Sequence, residues 1–318
     1  MKYIEFCESI KNELQRMMGD GYDVKLERVL KNNHVAYEAI VILQKGRYIA
    51  PSVYLEQYYD SYKEGKNITD ICLSIMVQYE KYKDGVELDS KKLMDYKQMK
   101  DSLFVKVINT AMNEELLQDM PHLNYYDLSM VAFLRIEDDG ISNATMNISN
   151  GHLKIWDMDE DALFKDAINN TREKMPYRFS TMSDVMKEIL YDKVKHYQHN
   201  VGNDEELDYA LVQSIEAIEM SEKDTMYVLT NSNKMDGAVY LLFDDVMETI
   251  AEKMQSDLYI IPSSIHEVMI LRKDKKIDYA ELCNLVKDVN EKELDPREVL
   301  SDTIYIYERG KGIKWRNP

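Results

Sequence analysis

The densest group of side chains able to do chemistry is the run Pro262-Ser263-Ser264-Ile265-His266-Glu267, directly after an apolar stretch. A serine hydroxyl beside an imidazole is the pairing of nucleophilic acyl transfer, with Ser263 or Ser264 attacking, His266 taking the proton and Glu267 as a further carboxyl. Spacing argues against it. Residues two or three apart on an extended chain seldom meet as nucleophile and base, and no G-x-S-x-G elbow surrounds them. A turn after Pro262, its hydroxyls serving the backbone, accounts for the same letters. His266-Glu267 opens a zincin-like motif that fails, because position 270 is Ile270. His196 and His199 stand three apart, with Glu188 and Asp192 nearby, but a metal site needs three or four ligands and a solvated helix end suffices. Trp156-Asp157-Met158-Asp159-Glu160-Asp161 lacks the glycine and the terminal glutamate of a calcium loop and reads as helix-capping acid. No GxGxxG or GxxxxGK[ST] run is present, and the chain holds only 11 glycines. No cofactor is expected.

A second candidate is a recognition surface. Tyr is 23 against 6 Phe, and Tyr54, Tyr58, Tyr59 and Tyr62 crowd one short segment. Tyrosine offers large contact area at low entropic cost, although the ordinary use of such residues is half-buried, ring inward and hydroxyl outward. Tyr54, Tyr58 and Tyr59 are the binding candidates.

Charge narrows the classes. Forty basic against 58 acidic residues leave a net −18. A nucleic-acid binder needs a basic footprint, and an anionic membrane surface needs one too. Neither partner is expected, while a protein partner is. Carboxylates mimicking nucleic acid toward a basic partner are an alternative, weakened by lysines interspersed almost throughout. Cys7, Cys72 and Cys283 are scattered and odd in number, without a CxxC, which points to a reducing cytoplasm. No signal-like or membrane-length apolar run occurs.

These candidates must be held by secondary structure. At 318 residues two domains are expected. Tyr3, Phe6, Cys7, Ile10, Leu14 and Met17 recur at helical spacing before Gly19-Asp20-Gly21. A hairpin turning at Asn32-Asn33 follows. Ile68, Ile71, Cys72, Ile75, Met76, Tyr79 and Tyr82 stripe a second helix, capped by Asn67. A charged stretch then sets a boundary near residue 100, giving a helix-hairpin-helix unit over 1–100 and a larger α+β domain over 101–318. In the latter, strands are expected over 103–108, 128–136, 144–148, 226–229, 238–242, 258–261, 268–271 and 304–307. Helices are expected over 114–120, from 159, around 185–190, over 207–218, 246–254 and 279–289. Hairpins mixed with helical connections give an α+β class with a mixed, largely antiparallel sheet.

Several segments taken together resemble a known family. They are Pro51-Ser52-Val53-Tyr54-Leu55-Glu56 with Tyr58-Tyr59, Met226 through Asn231, Ile261 through Glu267, Val289-Asn290, and Leu300-Ser301-Asp302 ahead of Tyr305. Their order and spacing are similar to an uncharacterised domain-of-unknown-function family of gut clostridia, over nearly the whole chain. The last hundred residues are distantly similar to the uncharacterised YtpQ-like family of Firmicutes. The resemblance implies a bacterial cytoplasmic protein and no activity. The leading expectation is therefore a non-enzymatic binding or regulatory protein, with a hydrolase at Ser263, Ser264 and His266 as the alternative.

Overall fold

The computed structural model describes residues 1–46, 50–82, 90–138, 141–201, 226–262, 264–273 and 278–314. The fold is α+β, with largely antiparallel sheets. The chain divides into two compact units. The first holds residues 1–104, 111–122 and 131–170; the second holds 105–110, 123–130 and 171–318.

The first unit opens with α1 (Tyr3–Met18), the hairpin β1 (Tyr22–Leu30) and β2 (Ala36–Gln44), then β3 (Ser52–Tyr54), α2 (Glu56–Lys63) and α3 (Ile68–Tyr82). The three strands lie in the order β1-β2-β3. Phe6, Cys7, Ile10 and Leu14 of α1 and Ile71, Cys72 and Ile75 of α3 bury their stripes with Ile40 and Ile42. Each such aliphatic side chain withdrawn from water stabilises the fold by roughly 1.5–3 kcal/mol. Asn67 caps α3 through Oδ1, 2.9 Å from the Asp70 N–H. The hairpin turns where the paired asparagines predict, with Asn33 at φ 60° and His34 at φ 57°. Asn33 is buried there; its main-chain N–H donates to Asn113 Oδ1 at 2.8 Å, and its own Oδ1 accepts from Asn113 Nδ2 at 2.9 Å.

The outer edge of β1 is partly closed by a side chain. Lys45 N–H donates to the Gly21 carbonyl, in register with the β1–β2 ladder. Hydrogen-bonded pairs alternate along an antiparallel ladder, so Tyr22 and Val24 turn their main-chain groups outward. Gln15 of α1 meets both, accepting from Val24 N–H at 2.9 Å and donating to the Tyr22 carbonyl at 3.1 Å. A side-chain amide thus takes the place of a neighbouring strand, one way in which folds protect an edge.

Short helices α4 (Ser90–Leu93) and α5 (Tyr96–Met99) lead to β4 (Leu103–Asn109), α6 (Glu114–Leu117), β5 (His122–Tyr125), β6 (Leu128–Asp138), β7 (Ile141–Asn147), α7 (Asn150–Trp156) and α8 (Glu160–Lys174). β4 and β5 pair with β6, as does β7. The acidic run ends α7 with Asp157 in the left-handed region and starts α8 with Asp159 Oδ1 accepting from Ala162 N–H at 2.8 Å. That is the capping use expected of it.

The second unit is built on a six-stranded sheet. Its strands are β8 (Tyr177–Thr181), β9 (Met226–Asn231), β10 (Leu258–Ile261), β11 (Val268–Arg272), β12 (Tyr305–Glu308) and β13 (Gly312–Lys314), in the order β13-β12-β10-β11-β9-β8. Its helices are α9 (Met182–Val201), α10 (Asp244–Met254) and α11 (Tyr279–Lys292). α11 packs Tyr279, Leu282, Cys283 and Val286 against Tyr259, Ile261, Leu271, Ile304 and Ile306. The alternate face of β12 meets α10, where Tyr307 donates to Glu248 Oε2 at 2.8 Å.

One expected strand is corrected. Residues 238–242 form a tight helical turn, Gly237–Leu242, not a strand. Gly237 through Leu241 are all buried, and an apolar run reports burial without choosing a conformation. The expected helix over 207–218 lies outside the described residues. β3, β5, β8, β13 and α7 were not expected. All are short, and β8 and β13 carry charged residues where an apolar alternation would have marked them.

Tyr240 locks the turn in place. It is 1% exposed, and its hydroxyl donates to the Met175 carbonyl at 2.8 Å and the Thr171 carbonyl at 3.1 Å. Burial pushes that hydroxyl from 10.0 up to about 12. The folded state therefore holds the proton more tightly than the unfolded state, and this stability is lost as pH rises from 10 toward 12. Tyr240→Phe should cost about 1 kcal/mol at neutral pH and flatten the alkaline limb of the melting-temperature profile, checked by thermal denaturation across pH 7–12.

Candidate functional site

The Pro262 run forms the connection from β10 to β11. It is stitched on one side to the segment before β12 and on the other to the loop after β9. Ser301 N–H donates to the Pro262 carbonyl at 2.9 Å, and Ile265 N–H to the Glu298 carbonyl at 2.9 Å. Ser264 bridges to Val299. Ser264 Oγ accepts from the His266 N–H at 3.0 Å, the serine turn expected after Pro262.

His266 uses main chain and ring together. Its carbonyl accepts from Gly237 N–H at 3.0 Å and from Thr230 Oγ1 at 2.8 Å. Its Nδ1 accepts from Asp236 N–H at 3.1 Å. A ring nitrogen that accepts must carry a lone pair, so the neutral ring's proton sits on Nε2. Nε2 faces Glu298 Oε1 at 3.7 Å. The hydroxyl of Ser264 therefore meets the main chain of His266, and the ring meets the loop after β9. Ser263 lies outside the described residues.

That loop is strongly constrained. Lys234 and Asp236 both sit at φ 56°, in a region that non-glycine residues enter at a cost. The buried Asn231 holds it from within, accepting through Oδ1 from Asn233 N–H at 2.9 Å and donating to the Met235 carbonyl at 2.6 Å. Gly237 closes it at a point with no room for a side chain. A Cβ there would stand 2.5 Å from Asn231 N, 2.5 Å from Thr230 Oγ1 and 2.8 Å from the His266 carbonyl.

Charges surround the loop. Glu188 of α9 takes Arg178 at 2.8 Å and Lys234 at 3.0 Å, and these two cations hold its carboxyl down at about 2. Glu267 behaves oppositely. It is half-buried, and burial raises its carboxyl above the usual range, opposed by His266 and Lys234.

The segment before β12 is anchored by a second polar group. Asp127 accepts from Ser301 Oγ at 2.6 Å and from the fully buried Tyr305 hydroxyl. The buried Asn290 donates to the Ser301 carbonyl at 3.1 Å and to Asp302 Oδ1 at 2.8 Å. Asn109 donates to the Leu300 carbonyl at 2.9 Å. Four segments that carry the family resemblance, around 226–231, 261–267, 289–290 and 300–305, thus meet in one hydrogen-bonded assembly.

The tyrosine candidates lie in the first unit. Tyr58, Tyr59 and Tyr62 are half-buried against its core. The Tyr59 hydroxyl donates to the Met1 carbonyl at 3.0 Å, and that of Tyr58 to Gln78. Tyr54 belongs to β3 rather than to the helix, beside Tyr37 and with Lys31 Nζ 4.9 Å from its ring centre. His196 and His199 fall on α9, with side chains outside the described residues. Among the described residues, no group of three or more His, Cys, Asp or Glu could hold a metal ion, and no helix is long and apolar enough to cross a membrane.

The family model of DUF5688, a family of unknown function, matches residues 3–309. The chain belongs to this family. No curated protein and no solved structure matches it.

Sequence reasoning missed Gly237, Thr230, Asn231, Asp127 and Glu298. Thr230 and Asn231 stood inside a resemblance segment without a role assigned, and Gly237 carried a local signal, as one of few glycines and directly after an aspartate. Three variants check the assembly by their stability. Gly237→Ala should destabilise by roughly 3 kcal/mol, because the blocking atoms are mostly main chain. Gly151→Ala, whose Cβ would meet only Ser149 Oγ at 3.3 Å, should be far milder. Glu267→Gln should raise the melting temperature at pH 7. The raised carboxyl favours the protonated fold, so that gain should fade as pH falls to about 4.5, its ordinary value.

Proposed function

We propose that this DUF5688 protein is a non-enzymatic, cytoplasmic binding or regulatory protein acting through protein contacts, with residues 232–236 as its recognition loop. The observation that carries the reading is the use made of His266 and Ser264. The carbonyl and Nδ1 of His266 hold the loop, and Ser264 Oγ serves the turn beneath it. Their chemistry goes into shape. The loop they fix presents Lys234 and Met235, the latter 42% exposed, from a backbone already constrained before any partner arrives. A pre-ordered loop lowers the entropic cost of binding. Scattered free cysteines support a reducing compartment, and the resemblance to clostridial and YtpQ-like sequences supports a bacterial one.

The alternative is a hydrolase drawing on Ser263, Ser264, His266 and Glu267, favoured by the raised carboxyl of Glu267. A tagged pull-down from the native host, with nuclease and at low and moderate salt, separates the two. The wild type should retain a stoichiometric protein partner that Lys234→Glu with Met235→Asp releases without loss of fold. Fluorophosphonate labelling of Ser263 or Ser264, abolished by His266→Ala in a folded variant, would overturn the binding reading.

A further inference from the structure

We propose that His266 makes residues 232–236 sensitive to pH, a proton on its ring taking away the acceptor of the Asp236 N–H and freeing the loop at that end. The inference rests on the reading of this loop as the recognition surface and supplies its regulation. Nδ1 accepts from Asp236 N–H at 3.1 Å. An imidazolium carries a hydrogen on both ring nitrogens, so a charged ring would point a donor at a donor. Holding the loop and holding the second proton therefore exclude each other at one atom. Imidazole is the side chain that ordinarily changes charge between pH 5 and 8.

The other contacts of the loop do not answer to a proton in that range. Asn231 binds the Asn233 N–H and the Met235 carbonyl through its side-chain amide. The His266 carbonyl takes Gly237 N–H and Thr230 Oγ1, and the charge of the ring leaves both in place. Lys234 keeps Glu188, whose carboxyl Arg178 and Lys234 hold down at about 2. The break is thus confined to Asp236, between one clamp at Met235 and another at Gly237. Asp236 stands at φ 56°, in a region that a non-glycine residue keeps only where its surroundings hold it. The proton removes a holding contact from the strained residue itself.

The charged groups around the ring come from three segments. Glu298, on the segment before β12, sets Oε1 3.7 Å from Nε2. That is too long for a hydrogen bond and well placed for an ion pair once the ring is charged. Glu298 is fixed there, since its carbonyl accepts from Ile265 N–H, and Arg297 beside it pairs with Asp295. Glu267 follows the ring along the chain, and the loop brings the Asp236 carboxylate and the Lys234 cation. Burial raises the Glu267 carboxyl while His266 and Lys234 lower it, so a charged ring also favours the ionised Glu267. Glu298 and Glu267 therefore stabilise the imidazolium and Lys234 opposes it. The ring has a favourable charged state to enter, at the expense of its bond to the loop.

The test is an NMR titration of the full chain from pH 8 to pH 5, following the His266 ring nitrogens and the loop amides together. The Asp236 amide should shift with the midpoint of the ring, and its exchange protection, corrected for the intrinsic effect of pH, should fall roughly fivefold or more. Gly237 N–H, bonded to the main chain of the same histidine, should keep its protection. The response should vanish in His266→Gln, persist in Glu267→Gln and move to lower pH in Glu298→Gln; the wild-type titration decides the matter even if a variant fails to fold. Unchanged protection of Asp236 on the charged ring, a response that survives His266→Gln, or equal loss at Asp236 and Gly237 would each overturn the proposal, the last because it reports acid unfolding. Partner capture is read separately. A loop that opens while a partner captured at pH 7 stays bound would sink the recognition reading and leave the switch standing.

Discussion

The carbonyl of His266 is the point on which the second unit's loops depend. Two donors converge on it, Gly237 N–H and Thr230 Oγ1, while the ring of the same residue accepts from Asp236. Main chain and side chain of one histidine thus grip both flanks of a loop that contains two residues in the left-handed region. Without that grip those two conformations would cost of order 1–3 kcal/mol each with nothing to hold them. The grip in turn needs Gly237 to be bare, because a Cβ would occupy the space through which it is made. It also needs the turn after Pro262 to be rigid, which the Ser264 hydroxyl and the contacts of Ile265 and Ser301 supply.

Beneath this tie lies a graded polar interior. Asp127, Ser301, Tyr305, Asn290 and Asn109 bond to one another and to the main chain around them, with Asn290 Oδ1 alone of the group's side-chain atoms buried and unpaired. Networks of this kind specify one arrangement because each partner left alone would be a buried unpaired group. Glu267 departs from that economy, half-buried with its carboxyl pushed up. Groups held against their own stability are commonly there for another reason, and here the group lies beside the loop proposed to meet a partner.

Much of the fold was legible because its helices are amphipathic and long. The stripes of α1, α3, α10 and α11 stand in the sequence where they stand in the structure. The paired asparagines announced their turn because Asn tolerates positive φ. Residues 238–242 misled, since an apolar run buried on all sides looks the same as strand or helical turn. The serine–histidine run stands in the sequence as the densest group of side chains able to do chemistry. What each atom does there depends on Asp236, Thr230 and Glu298, which lie more than 25 residues away along the chain and which no local spacing brings together. The resemblance segments were visible as letters, whereas their convergence is a property of the sheet order, with β10 between β11 and β12.

The central claim is that the His266 ring is a structural acceptor. The most direct test is the nitrogen chemical shifts of that imidazole, measured by NMR on the folded protein at neutral pH with His266→Gln as the assignment control. The account predicts a neutral ring, with Nδ1 as the acceptor and the proton on Nε2, together with slow hydrogen exchange at the Asp236 amide. A protonated Nδ1, or an Asp236 amide that exchanges as fast as an open loop, would contradict it.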